Sequence, residues 1–193
     1  MDAAWELARA NGLAGLSLRD LAQTVGMRAP SLYVYFDSKT AIYDAMFAQG
    51  ATQYLEAQRE LVLSGSALAD LKAGMHFFVG FCTSDTVRYQ LLFQRTVPDF
   101  EPSPQSFAIA VEGLQATRDR LKTMGFTDPA VLDLLTAIGT GLTDQQISND
   151  PGGDRWIRLV DEAMEMFFAH VSGRTASRRC ASTATPKNAR SKR

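Results

Sequence analysis

Few residues in this 193-residue chain are of types that catalyse or bind metal. Its two cysteines, Cys82 and Cys180, make neither a disulfide framework nor a cysteine-built zinc site, and with only His76 and His170 beside them no cluster has metal-ligand spacing. Asp161, Glu162 and Glu165 form an acidic group, but His170 stands off the i, i+3 or i+4 spacing from Glu165 that would join them on one helix face. The group therefore reads as a solvated surface. No nucleophile–base set, glycine-rich phosphate loop or paired-carboxylate cleft stands out, so neither an enzyme nor a cofactor is expected. The stretch whose residue types could do chemistry is Ser17–Phe36, SLRDLAQTVGMRAPSLYVYF. Its second half, Arg28–Phe36, carries no acid, as a segment set against phosphate requires.

Such side chains reach a groove only if two short helices hold them at a steep angle across a turn. Close crossing needs a small residue at the contact, here Ala22, and a glycine where φ turns positive, here Gly26. Leu32 is the inward apolar residue of the second helix, faced by Leu18 and Leu21 of the first. Ser17 caps the first of them, Leu18–Val25; the second, Ala29–Phe36, tolerates Pro30 in its opening turn. A preceding helix, Asp2–Asn11, stops at Gly12, and Asp37 or Ser38 caps a long fourth helix to about Leu63.

The text ANGLAGLSLRDLAQTVGMRAPSLYVYFDSKTAIYDAM, Ala10–Met46, resembles the TetR family of bacterial one-component transcription regulators, most specifically through LYVYFDSKTAI over Leu32–Ile42. The resemblance implies an all-α chain: a three-helix helix-turn-helix domain (1–45, motif 17–36), then a larger effector-binding and dimerisation domain (46–173), about nine helices in all. It implies that Ser17 and Arg19 touch the phosphate backbone or groove edge. Arg28, Ala29, Pro30, Ser31, Tyr33 and Val34 would face the major groove, and Tyr35 and Lys39 would contact phosphate. The chemistry fits: Arg28 can bind guanine O6 and N7, and Ala29, Pro30 and Val34 can meet thymine methyl groups. Lys39 near a helix N-terminus would be unfavourable unless an anion sits there too. Members of the family usually carry a short, often basic segment before the first helix. Here Met1 comes just before it, and residues 1–45 hold four Lys/Arg against five acids, so weak DNA affinity or an upstream start is expected.

Beyond residue 45 every segment reads as helix: Ser66–Thr83, Thr86–Gln94, Gln105–Met124, Asp128 to about Ser148, and Asp154–Val171. Ser66–Thr83 is apolar nearly all round and should be buried on all sides. Gln105–Met124 should bury Phe107, Val111, Leu114 and Leu121. A sensor pocket is expected where Phe77, Phe78 and Phe81 face Phe93, Phe107 and Val111, with His76, Tyr89, Gln94 or Glu112 as polar handles for a small hydrophobic effector. Because one such motif reads one half-site, a homodimer on palindromic double-stranded DNA is expected. Two apolar stripes on Asp154–Val171 exceed what one core needs. Trp156, Val160, Ala163, Met164, Phe167 and Phe168, with the small residues Ala137, Gly139 and Gly141 of the preceding helix, are the expected interface.

The formal charge of −1 hides an asymmetry: residues 174–193 carry seven Lys/Arg and no acid, leaving residues 1–173 at −8. That tail, poor in large apolar residues, is expected to be disordered. No run of about 18 apolar residues could span a membrane, and MDAAWELARANG lacks the form of a signal peptide, so a cytoplasmic protein is expected. The competing reading is a helical protein-interaction module with weakened or lost DNA binding.

Overall fold

The structure is a computed structural model describing residues 1–183, which form nine α-helices, one 3-10 turn and no strand. The first four helices are α1 (Asp2–Gly15), α2 (Leu18–Thr24), α3 (Ala29–Leu32) and α4 (Lys39–Arg59). Gly12 kinks α1 at φ 72° and ψ 163°. Ser17 caps α2 by accepting from Asp20 N–H at 3.2 Å, and Ser38 caps α4 by accepting from Ala41 N–H at 3.1 Å. These elements close over Ala8, Leu21, Ala22, Leu32, Ile42 and Met46, each at most 5% exposed. Trp5 Nε1 donates to Gln49 Oε1 at 2.8 Å and the Tyr43 hydroxyl donates to Leu13 O, fastening α1 along α4.

The turn between α2 and α3 has the geometry that Gly26 predicts. Gly26 lies at φ 70°, Met27 N–H donates to Ala22 O at 2.8 Å and Gly26 N–H donates to Gln23 O at 3.1 Å. A Cβ there would meet nothing within 4 Å, so Gly26→Ala carries a conformational penalty alone. The variant should lose about 1 kcal/mol, seen as a lower urea midpoint at unchanged slope. The helix α3 is shorter than expected. After Leu32 the chain continues as a turn, with Tyr35 N–H and Phe36 N–H both donating to Leu32 O, at 2.9 and 3.0 Å.

Five more helices follow: α5 (Ala67–Ser84), α6 (Thr86–Phe93), α7 (Pro104–Thr123), α8 (Pro129–Asn149) and α9 (Val160–Thr183). A second apolar core gathers Met75 and Val79 from α5, Leu121 from α7, Leu132 from α8, and Val160, Met164, Phe167 and Val171 from α9. The join between α4 and α7 is polar at one end. Asp44 accepts from Ser103 N–H at 2.6 Å and from the Ser103 and Ser106 hydroxyls, both at 2.9 Å.

Four expectations are corrected here. The helix α5 is not buried on all sides: Leu71, Met75, Val79 and Cys82 are core, but His76 and Gly80 are exposed. On α7, Phe107, Val111 and Leu114 are exposed, and the buried face is Ser106, Gly113 and Leu121. Ser106, Ala110, Gly113 and Thr117 follow at helical spacing, and their small side chains allow α7 to lie close along α4. The last helix starts at Val160, not Asp154. Asp150 Oδ2 accepts from Arg155 N–H at 2.9 Å, and Gln146 Oε1 accepts from Trp156 N–H at 2.9 Å and Ile157 N–H at 3.3 Å. These side chains hold the incoming chain in a turn ahead of the 3-10 segment Ile157–Leu159. At its other end α9 runs past Gly173 to Thr183, so residues 174–183 of the basic tail are helical where disorder was expected. The rest of the basic tail, 184–193, lies outside the described residues.

Candidate DNA-reading face and internal cavity

The α2–α3 unit presents one continuous exposed surface. Arg19, Arg28, Pro30, Ser31, Tyr33, Val34 and Tyr35 are exposed, with Val34 at 83% and Tyr35 at 71%; Ser17 and Ala29 are partly covered. Apolar side chains so far out of the core are available to a partner. Among the described residues Arg19 and Arg28 make no ion pair or side-chain hydrogen bond, which leaves both guanidinium groups available. Lys39 differs. Its Nζ donates to Ala14 O at 2.6 Å and lies 5.5 Å from the Tyr43 ring centre. The carbonyl and the ring stabilise this charge at the start of α4, so the anion the sequence suggested is not needed there.

A cavity of about 210 Å³ lies between α4, α5, α6, α7 and α8. Its walls are mostly apolar: Leu71, Met75, Phe77, Phe78, Leu92, Phe93, Leu114, Leu121, Leu132 and Leu135. Tyr54 stands among the aromatics, its ring centre 5.3 Å from that of Phe77, 5.1 Å from Phe81 and 5.5 Å from Phe93. Burial holds the Tyr54 phenol well above its ordinary pKa, so it stays neutral. The polar lining is Gln58, Asp70, Thr117, Thr136 and Arg120. The Asp70 carboxylate accepts from Ser64 N–H at 2.7 Å, the Ser64 hydroxyl at 2.8 Å and Gly65 N–H at 3.1 Å; these donors, Ser64 first, hold it below the usual carboxylate range.

Of the residues the sequence suggested for a pocket, Phe77, Phe78 and Phe93 line this cavity, and Phe81 stands behind Tyr54. The proposed polar handles lie elsewhere. His76 is on the surface with Nε2 2.8 Å from Asp161 Oδ1, and Glu112 is on the surface paired with Arg59 at 2.5 Å. Tyr89 and Gln94 both donate to Asp144 Oδ1 at 2.7 Å, and burial, with that bond, raises the Tyr89 phenol. Phe107 and Val111 lie on the exposed side of α7, with Phe107 bordering a separate hollow beside Pro102. Sequence reasoning missed Tyr54, Gln58, Thr117 and Arg120. The small-residue series on α7 that brings Thr117 against α4 was the available signal.

The expected dimer residues divide. Val160 and Met164 are 0% exposed and Phe167 2%, all inside the second core, so they cannot meet another chain. Gly139 faces Met75 and Phe78 on the cavity wall. Trp156, Ala163 and Phe168 are partly covered, whereas Ala137 and Gly141 are exposed, as is Met166 at 68%. The core takes residues from both apolar stripes of the helix, Val160 and Phe167 from one and Met164 from the other, because spacing alone does not tell a helix which partner it has.

Residues 1–46 match the family model described as bacterial regulatory proteins, tetR family. No curated protein matches the chain. Among solved structures, a tetR-family bacterial regulatory protein from Rhodococcus RHA1 is 20% identical, with TM-score 0.63 over 86% of this chain and 93% of its own. The TetR-family transcriptional regulator PfmR from Thermus thermophilus is 18% identical, with TM-score 0.60 over 86% of this chain and 94% of its own. A TetR variant from Acinetobacter baumannii AYE, solved in complex with minocycline, is 19% identical, with TM-score 0.56 over 90% of this chain and 94% of its own. Residues 1–46 belong to the tetR family of bacterial regulatory proteins, and the described chain has the all-helical fold of that family's solved regulators.

Proposed function

We propose that this protein is a ligand-responsive repressor: a homodimer that binds a palindromic operator and leaves it when a small hydrophobic molecule fills the cavity. The observation that carries the reading is the continuity of α4. One helix has Ser38 and Lys39 at its start, beside the helix-turn-helix, and Tyr54 and Gln58 in the cavity wall. A second tie runs through α6. Arg9 of α1 pairs at 2.6 Å with Asp85, which caps α6, and Phe93 at the far end of α6 lines the cavity. A ligand that fits the cavity better in one setting of α4 and α6 shifts the population of that setting, and with it the placement of α3. In the Acinetobacter relative the same fold holds minocycline, which supports a small-molecule role for the cavity here. The exposed Ala137, Gly141 and Met166 are the apolar surface we assign to the partner subunit, with Trp156, Ala163 and Phe168 at its edge. The domain division is read as 1–45 for DNA and 46–173 for effector and dimer.

Selection of bound fragments from randomised DNA by the purified chain tests the reading. Enrichment of a palindrome with half-sites about one helical turn apart, or a multiple of it, supports it; no enrichment, with a folded protein, overturns it and leaves the interaction-module reading. On the selected site, Arg28→Ala should cost about 1–3 kcal/mol and relax discrimination at one base pair per half-site. An equal loss on every sequence would assign Arg28 to phosphate. Lys39→Ala is the poorer probe of phosphate contact, because it also releases the Ala14 carbonyl.

A further inference from the structure

Gln58 is 3% exposed and its Oε1 has no hydrogen-bond partner. The amide meets Thr117 through Nε2. The Thr117 hydroxyl donates to Gly113 O at 3.2 Å and accepts from Gln58 Nε2 at 2.8 Å. With the Thr117 proton on Gly113 O, turning the amide over would set oxygen against oxygen. The backbone is pinned as well, since Arg120 Nη2 donates to Gln58 O at 2.7 Å. Oε1 is therefore held as a bare acceptor, and a buried carbonyl left this way is costly. It stands at the cavity wall beside Gly113. A Cβ on Gly113 would lie 3.6 Å from Oε1 and 3.5 Å from the Tyr54 ring, so the glycine and that ring are the acceptor's immediate neighbours.

We infer that the effector class is an otherwise apolar molecule bearing a hydrogen-bond donor, a hydroxyl or an N–H, which a small displacement of the Tyr54 ring admits to Gln58 Oε1. This inference rests on the proposal that the cavity is the effector site. A molecule with only apolar atoms fills the walls but leaves the acceptor unpaired, whereas a donor-bearing one relieves it. Gln58 thus sets which greasy molecules are recognised, a selection that apolar walls alone perform poorly.

The probes are 2-naphthol and 2-methylnaphthalene, which match in shape and differ in one donor, titrated into the full chain by calorimetry. In an unselective apolar cavity the methyl compound binds more tightly, because it loses no hydration of a hydroxyl. We expect the reverse order here, and Gln58→Met to change the ratio of the two dissociation constants by about tenfold toward the methyl compound. If Gln58→Met fails to fold, Thr117→Val, which unlocks the amide, should narrow the ratio in the same direction. Both probes binding to wild type with the methyl compound preferred, or an unchanged ratio in the folded variants, overturns the donor inference and leaves the cavity reading standing. Neither probe binding nor raising the melting temperature overturns both.

Discussion

Phe167→Ala should destabilise the chain by about 3–5 kcal/mol, a large share of the total stability of such a domain. Phe167 is 2% exposed and sits between Val160, Met164 and Val171 of its own helix and the apolar faces of α5 and α8. Deleting its ring leaves a cavity that rigid helices fill poorly. Met166, one residue earlier and about 100° around the helix, is 68% exposed. Met166→Glu should leave the monomer fold intact within about 0.5 kcal/mol and instead dissociate the proposed dimer by placing like charges together across a two-fold axis. Urea unfolding at fixed protein concentration, paired with sedimentation, separates the two. If Phe167→Ala unfolded normally and only dissociated, the placement of this side chain in its own core would be wrong. If Met166→Glu stayed dimeric, the interface would lie elsewhere.

That pair of residues shows where the sequence is legible and where it is not. The helix-turn-helix is specified locally: Ser17 and Ser38 cap, Gly26 takes the left-handed turn, and Ala22 permits the crossing. Each of these depends on near neighbours in the chain, so residue type and spacing suffice. The length of α3 is set instead by a turn closing on Leu32, and the entry to α9 by Gln146, whose side chain reaches ten residues along the chain to Trp156. Partner choice is harder still. By spacing Val160 and Phe167 group with Met166, and Met164 and Val171 with Ile157 and Phe168, yet the core takes Val160, Met164, Phe167 and Val171 from both groups and leaves Met166 on the surface. On α7 the large residues Phe107, Val111 and Leu114 are exposed, while Gly113 and Ser106 are buried. Here helix proximity, which favours small side chains, prevails over hydrophobicity. The aromatic half of the cavity was therefore visible in Phe77, Phe78 and Phe93, but its polar end was not, because Gln58 and Thr117 meet across 59 residues of sequence.

Gly74→Leu should stabilise the protein by about 1–3 kcal/mol and at the same time weaken binding of any cavity ligand by at least about tenfold. Gly74 lies within α5 and on the cavity lining, and a Cβ built there meets nothing within 4 Å. The helix gains because leucine restricts the unfolded chain more than glycine does, and the new side chain buries apolar surface in space that is otherwise empty. The same occupancy excludes the effector. Gly139 is the control on the facing helix: a Cβ there would come within 3.1 Å of Met75 Sδ and of the Phe78 ring. Gly139→Leu should therefore lose stability through overpacking, by about 1–3 kcal/mol, while also closing the site. Two glycines on one cavity with opposite expected signs make the test sharp. If the cavity is the effector site and 2-naphthol releases the wild-type chain from the selected operator, both variants should hold that operator in its presence, provided the added side chains leave α4 in its DNA-fitting position. Constitutive release by Gly74→Leu would instead mean that filling the cavity by a side chain reproduces what the ligand does. Operator binding with release by 2-naphthol unchanged from wild type would place the effector outside this cavity.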